Sequence, residues 1–270
     1  MFKSQEKMTK SKFYLRKAAM ITACLAVTTV LWGCEKDPTD DNNGNESGKR
    51  LVEKVGDIVN FGTYNGKIIQ CQALAVDSVN NKALLVSTEI ISYWVFNGSN
   101  VDVTWETSTV RQWLNSDFYN AVYTSAQKAK ILESDIENRA NSQYNVGGGV
   151  NTKDKVFLLS LAEATMYFSN DAARTIKYNA TQAQMEALAM EISNRANSEN
   201  WHSKPTYAGI LADLQSYNGT TDRWWLRTSG QDLTRAAQIS YDGSPYMVGG
   251  QVFQIQAVRP AIWVDNSPEE

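Results

Sequence analysis

Histidine is almost missing from this chain, which has one, His202. A two-histidine metal site is therefore excluded, as is a serine–histidine relay with a spare histidine. Its neighbours, Trp201 and Ser203, place it on an exposed loop. Cysteine is scarce too: Cys24, Cys34 and Cys71 are all there are. The first two sit at the front, so Cys71 stands alone in the folded part. No disulfide can form within that part, and no Cys–Cys metal spacing exists. Its flanks, Ile68-Ile69-Gln70 and Gln72-Ala73-Leu74, read as strand, which makes Cys71 a small buried apolar residue. A thiol nucleophile would want a histidine partner. Also missing is any basic run with interleaved aromatics. The formal net charge is −3. Without residues 1–33, which carry six basic residues and one acidic, 20 basic residues face 28 acidic ones. Such a balance excludes nucleic acid as a partner, because phosphate binding needs a basic face.

What is present begins with a delivery signal. Residues 1–17 are basic, and Ala18 to Trp32 is an uncharged apolar or small stretch. It is short for a membrane span and has the layout of a secretory signal. It ends Leu31-Trp32-Gly33-Cys34, which resembles a bacterial lipobox. That resemblance implies lipidation of Cys34 and a membrane partner through the lipid. Glu35 to Arg50 cannot form a core and reads as a flexible tether. Its acids Glu35, Asp37, Asp40 and Asp41 resemble surface-export signals of Bacteroidota lipoproteins. The expected organisation is a signal over 1–33, an acidic tether over 34–53 and one globular domain over 54–265. The expected location is the outer membrane, facing outward, with a periplasm-facing linker as the alternative.

The domain reads as strands, then helices, then strands, hence α+β. Strands are expected at 55–61, 67–76 and 83–87. Ser108 or Thr109 caps a helix over 110–115, and Thr124-Ser125 caps one over 126–132. Residues 138–154 read as a long loop. Its Gly147-Gly148-Gly149 lacks a following Lys-Ser/Thr and a helix, which excludes a phosphate loop. A buried strand follows at 156–160, then a helix at 161–168 and a helical turn at 171–177. The strongest helical pattern is 181–197, with Met185, Leu188, Ala189 and Ile192 on one face. Residues 200–218 read as irregular.

The last forty residues organise the reading. Trp224-Trp225-Leu226 is dense enough to be core. Ala236 to Tyr241 reads as a strand, Asp242-Gly243 as a tight turn, and Ser244 to Val248 as an edge strand because of Pro245. Gly249-Gly250 is expected to turn, Gln251 to Ile255 alternates at period two, and 258–264 is a buried strand. Together these suggest an antiparallel meander.

Val55 to Gly62, Val103 to Asn115, Lys155 to Ser160, Trp224-Trp225-Leu226-Arg227 and Val258-Arg259-Pro260-Ala261 resemble, in this order, the bacterial DUF6273 domains. The resemblance covers residues 54–265. Thr228-Ser229-Gly230 departs from it, standing where Ser-Pro-Gly is usual. The family layout is in turn similar to C-type-lectin-like domains of the formylglycine-generating-enzyme type. This implies a C-type-lectin-like single domain with short antiparallel strands and several helices.

Function then rests on surface chemistry. Tyr241 and Tyr246 flank the Asp242-Gly243 turn and are expected to be exposed. Rigid tyrosines among adaptable polar groups suit a binding surface. The candidate ligand-binding set is Arg227, Gln231, Asp232, Arg235, Gln238, Tyr241, Tyr246 and Gln254. For Arg227 and Arg259 the leading reading is structural, satisfying carbonyls or a carboxylate at strand ends, and the rival is that they flank a recognition surface. Calcium, as in lectin-like domains, would find Asn151 and Asp154 near the glycine loop. Asp102 and Glu106 could form a carboxylate pair, a weak signal on so acidic a chain. The leading expectation is recognition of an extracellular glycan or protein without catalysis. The alternatives are a formylglycine-generating-type enzyme and a structural envelope component.

Overall fold

The computed structural model describes residues 48–269; the expected signal, Cys34 and residues 35–47 of the tether lie outside the described residues. The domain is α+β, with antiparallel sheets and helices. It opens with β1 (Ile58–Tyr64), β2 (Lys67–Asp77), β3 (Lys82–Ser87) and β4 (Ser92–Val95). The first three form hairpins in sequence. Asn65 and Asn81, both at positive φ, make their turns, a conformation that asparagine tolerates.

Helices fill the middle. α1 (Thr109–Trp113) starts on Ser108, whose Oγ accepts the Arg111 amide. It runs through a π-turn at Leu114–Phe118 into α2 (Tyr119–Val122). α3 (Ser125–Lys130) carries a full capping box from Thr124 and Gln127. The expected helix continues to 132, but Ile131–Leu132 is a strand, β5, beside the last strand of the chain. Extended pairing there buries Ile131. β6 (Ser134–Ile136) and β7 (Thr152–Asp154) pair with each other, so the 138–154 loop is tied off at its end. α4 (Leu161–Tyr167), α5 (Asp171–Arg174), α6 (Gln182–Ser198) and α7 (Tyr207–Tyr217) follow. α7 corrects the irregular reading of 200–218. Tyr207, Ile210, Leu211 and Leu214 carry the helical period, and Gly209 in the first turn masks it. Thr206 caps α7 by accepting the Gly209 amide.

The C-terminal strands are β8 (Trp224–Ser229), β9 (Arg235–Ile239), β10 (Pro245–Gln251), β11 (Ile255–Val258) and β12 (Ala261–Asp265). Only β8, β9 and β10 form the expected meander. One sheet has the order β10-β9-β8-β11-β4, the other β1-β2-β3-β12-β5. β11 returns parallel to β8 and antiparallel to β4. Pro260 lacks an amide hydrogen and breaks the ladder between β11 and β12. The chain there leaves one sheet, and β12 enters the middle of the other, between β3 and β5. The two sheets are thus joined by the shortest of linkers, Arg259-Pro260.

Gly249-Gly250 is not a turn but a bulge inside β10. Gly249 has φ +81°, and a Cβ there would stand 2.4 Å from the Ala236 carbonyl oxygen. Residues 251–254 turn instead of continuing as a strand, with the Gln254 amide donating to the Gln251 carbonyl at 3.0 Å. Pro245 heads the edge strand, as its missing amide hydrogen requires.

One apolar core runs between the sheets and helices. Trp94, Trp105, Trp201, Trp224 and Trp225 are all fully buried. Trp94 stacks on Trp113 at 4.3 Å, and Trp225 donates its Nε1 to the Trp94 carbonyl at 2.9 Å. Most of the tryptophan surface is therefore spent on cohesion, where large rings contribute most.

Candidate functional site

Three polar clusters enclose residues with predicted roles, and two of them, around Arg227 and Arg259, tie down the C-terminal strands. Arg227 is only 3% exposed. Its Nη1 donates to the Leu158 carbonyl at 2.8 Å and its Nη2 to the Glu137 carbonyl at 3.1 Å. Both nitrogens also grip the Glu163 carboxylate. Arg227 is thus committed to structure, the leading of its two readings. Arg259 is buried with no carboxylate beside it, and burial lowers its pKa. Its Nε donates to the Ser87 carbonyl at 2.9 Å, and its guanidinium lies 4.7 Å from the Phe168 ring and 5.2 Å from Trp224. A guanidinium stays charged under such conditions, so the rings and carbonyls hold the cation.

The third cluster removes the calcium candidates. Asp154 is 1% exposed. It accepts from Trp105 Nε1 at 2.8 Å, Arg111 Nε at 2.6 Å and Thr152 Oγ1 at 2.7 Å. Asn151 Oδ1 accepts the Asn138 amide at 2.9 Å. Both side chains already have protein partners, and a cation would have to displace an arginine.

The other candidates do not converge. Gln238 is 1% exposed in the centre of β9, facing Trp225 and Tyr246 in the register. It cannot reach a ligand. Gln231, Asp232 and Arg235 lie at the β8–β9 connection, and Gln254 lies past the end of β10 that pairs with Arg235. There Asp232 accepts from the Thr234 hydroxyl at 2.6 Å, which holds its carboxyl below the usual range. Arg235 donates to the Gly249 carbonyl at 3.2 Å, and Gln254 Oε1 accepts the Gln251 amide at 3.3 Å. These residues mostly tie their own loops.

Tyr241 and Tyr246 sit toward the opposite end: Tyr241 lies up to about 20 Å from Arg235 along the strand, and Tyr246, which pairs with Gln238, about 10 Å, at ~3.3 Å per residue. Both are exposed, Tyr241 at 58% and Tyr246 at 36%. Between them stands Arg223, which the sequence reading did not single out. Its guanidinium lies 5.9 Å from the Tyr241 ring and 5.7 Å from the Tyr246 ring. It is exposed, and its side chain makes no ion pair among the described residues. Asp242, in the turn beside it, accepts from the Ser244 hydroxyl at 2.7 Å. That bond, with the Ser244 amide and the nearby Arg223 charge, keeps Asp242 ionised. The signal for Arg223 was available: it immediately precedes the Trp224-Trp225 anchor, opposite the tyrosine turn.

The chemistry left for the rival enzyme is thin. Cys71 is buried, and burial pushes its thiol up to about 12. His202 packs against Phe253 at 4.5 Å on the surface. Among the described residues no three His, Cys, Asp or Glu side chains group to hold a metal, and no helix is long and apolar enough to cross a membrane.

No curated protein and no solved structure matches the chain. The profile of DUF6273, a domain of unknown function, matches residues 80–266, from the turn before β3 through β12, and the chain belongs to that family.

Proposed function

We propose that this protein is a recognition module that binds a glycan through Tyr241, Arg223 and Tyr246. The observation that carries the reading is one uncommitted guanidinium held between two exposed tyrosine faces. Aromatic faces pack on the C–H faces of sugar rings. The guanidinium supplies donors in a fixed fork, and Asp242 supplies an ionised acceptor. The proposal includes the finer fold, a C-type-lectin-like domain, which draws on the closing Trp224-Trp225, Gly249-Gly250 and Arg259-Pro260 elements. It also includes location: Gly33-Cys34 follows an apolar run and precedes an acidic tether, as a lipid-anchored protein facing outward from the outer membrane would require.

A glycan array probed with the purified chain tests this. Binding is expected, and Tyr241→Ala, Tyr246→Ala and Arg223→Ala should each weaken it about tenfold, or 1.4 kcal/mol. Unchanged binding in all three variants would sink the reading. Turnover that depends on Cys71 would favour the formylglycine-generating-type alternative. Silence in both assays, with tight co-fractionation with the envelope, would favour a structural component.

A further inference from the structure

A separate cleft of about 470 Å³ opens where the first turn of α4 faces β8 and β10. Its size falls within the range of small-ligand sites. Pro245 and Met247 line it, whereas Tyr246 between them alternates to the other face of β10. The cleft is therefore not the tyrosine patch.

Four hydroxyls line this cleft, those of Ser142, Ser160, Thr165 and Thr228, and two of them, Ser160 and Thr228, are buried and used as acceptors. Ser160 Oγ takes the Glu163 amide at 3.2 Å, and Thr228 Oγ1 takes the Leu161 amide at 2.9 Å. Both side chains are buried, and neither hydroxyl donates its own hydrogen within the described residues. The cleft continues into a smaller space of about 240 Å³ lined by Arg227. The Nε of Arg227 is buried and has no partner. Charge is balanced throughout: Arg139 pairs with Glu137 at 2.8 Å, and Arg227 pairs with Glu163. Leu161, Ala162, Pro245 and Met247 supply apolar walls.

Hydrogen donors without net charge, set against apolar walls, complement a neutral carbonyl that carries a small apolar group. A charged carboxylate would gain no cation that is not already paired. An acetamido group has the required shape, one carbonyl oxygen and one methyl. We infer that this cleft binds an N-acetylated sugar, with its carbonyl oxygen accepting from Ser160 and Thr228 and its methyl against the apolar wall. Ser142 and Arg139 stand around the same cleft and suit the remaining sugar hydroxyls, whereas the Thr165 hydroxyl donates to the Leu161 carbonyl at 2.9 Å and offers only an acceptor. The choice of a sugar rests on the glycan reading above. The preference for a neutral acyl group rests on this cleft alone.

The test titrates the purified full chain with N-acetylglucosamine, glucosamine and N-acetyl-lysine amide, read by saturation-transfer NMR and calorimetry. N-acetylglucosamine is expected to bind, with the strongest transfer at its acetyl methyl, and glucosamine at least about tenfold more weakly. Ala162→Phe should abolish binding by filling the cleft. Ala162 is exposed, so the variant should keep the wild-type melting temperature. Tyr241→Ala and Tyr246→Ala should leave this titration unchanged even where they remove binding on the array, which separates failure of one site from failure of the other. No binding, equal binding of glucosamine, or binding that survives Ala162→Phe would overturn the inference. Tighter binding of N-acetyl-lysine amide than of the sugar would overturn it in favour of an acylated peptide.

Discussion

Glu163 meets Arg227 while also closing the first turn of α4: one carboxylate oxygen accepts the Ser160 amide at 2.7 Å, and both oxygens face the guanidinium. A helix cap and a cross-domain ion pair therefore share one side chain. Truncating it leaves a buried cation unpaired. Glu163→Ala is expected to cost about 3 kcal/mol, measured by urea unfolding. A loss below about 1 kcal/mol, the value of a helix cap alone, would show that Arg227 finds other acceptors.

Asp154 makes a prediction against calcium. Its three donors already satisfy it, so EDTA and added calcium should both leave the melting temperature unchanged. Asp154→Asn should lower it, because Arg111 and Trp105 lose a charged acceptor; hydrogen bonds to charged groups contribute about 1.5–3 kcal/mol. Calcium-dependent melting of the wild-type chain would contradict this assignment.

Glu191 gives the fold a pH dependence. Burial raises its pKa, against the lowering effect of Tyr64, whose hydroxyl donates to it at 2.5 Å. The folded state therefore binds more protons than the unfolded state above the ordinary glutamate value of about 4.3. The resulting stabilisation is present below that value and is lost as pH rises through the folded pKa. Melting of the wild type should fall, relative to Glu191→Gln, as pH rises above the ordinary glutamate value. Parallel curves for the two proteins above that value would refute the assignment.

Gly249 and Gly219 separate strain from crowding. Both have positive φ, +81° and +82°, but only Gly249 has backbone in the way of a Cβ. Gly219→Ala should cost about 1 kcal/mol from its backbone conformation alone. Gly249→Ala should cost more, because the Ala236 carbonyl sits in a paired strand and cannot move freely. Equal losses in thermal unfolding would mean that β10 can shift outward.

Cys71 should resist alkylation. With its thiol pushed up to about 12, the reactive thiolate is rare at pH 8. Iodoacetamide followed by peptide mapping should leave Cys71 unmodified in the native chain and modify it in urea. Rapid native labelling would reopen the case for a nucleophile.

Local signals determine much of this protein. The caps at Ser108 and Thr124, the Pro245 edge and the α6 stripe are all short-range facts, and each appears at its expected place. Bulk and scarcity did the same for Cys71 and the tryptophans, because large apolar side chains and lone thiols go inside. Other features depended on partners distant in the chain. Ile131-Leu132 became a strand only because β12 offered an edge, and β12 reached that edge only because Pro260 broke the ladder. Gln238 looks like a surface polar group until the neighbouring strands enclose it, and the carboxylate that Arg227 needs, Glu163, lies 64 residues earlier. Arg223 gained its place because the β9–β10 turn folds back over it. Tertiary packing decided which polar residues remain free, since burial and pairing are properties of neighbours that sequence spacing does not encode.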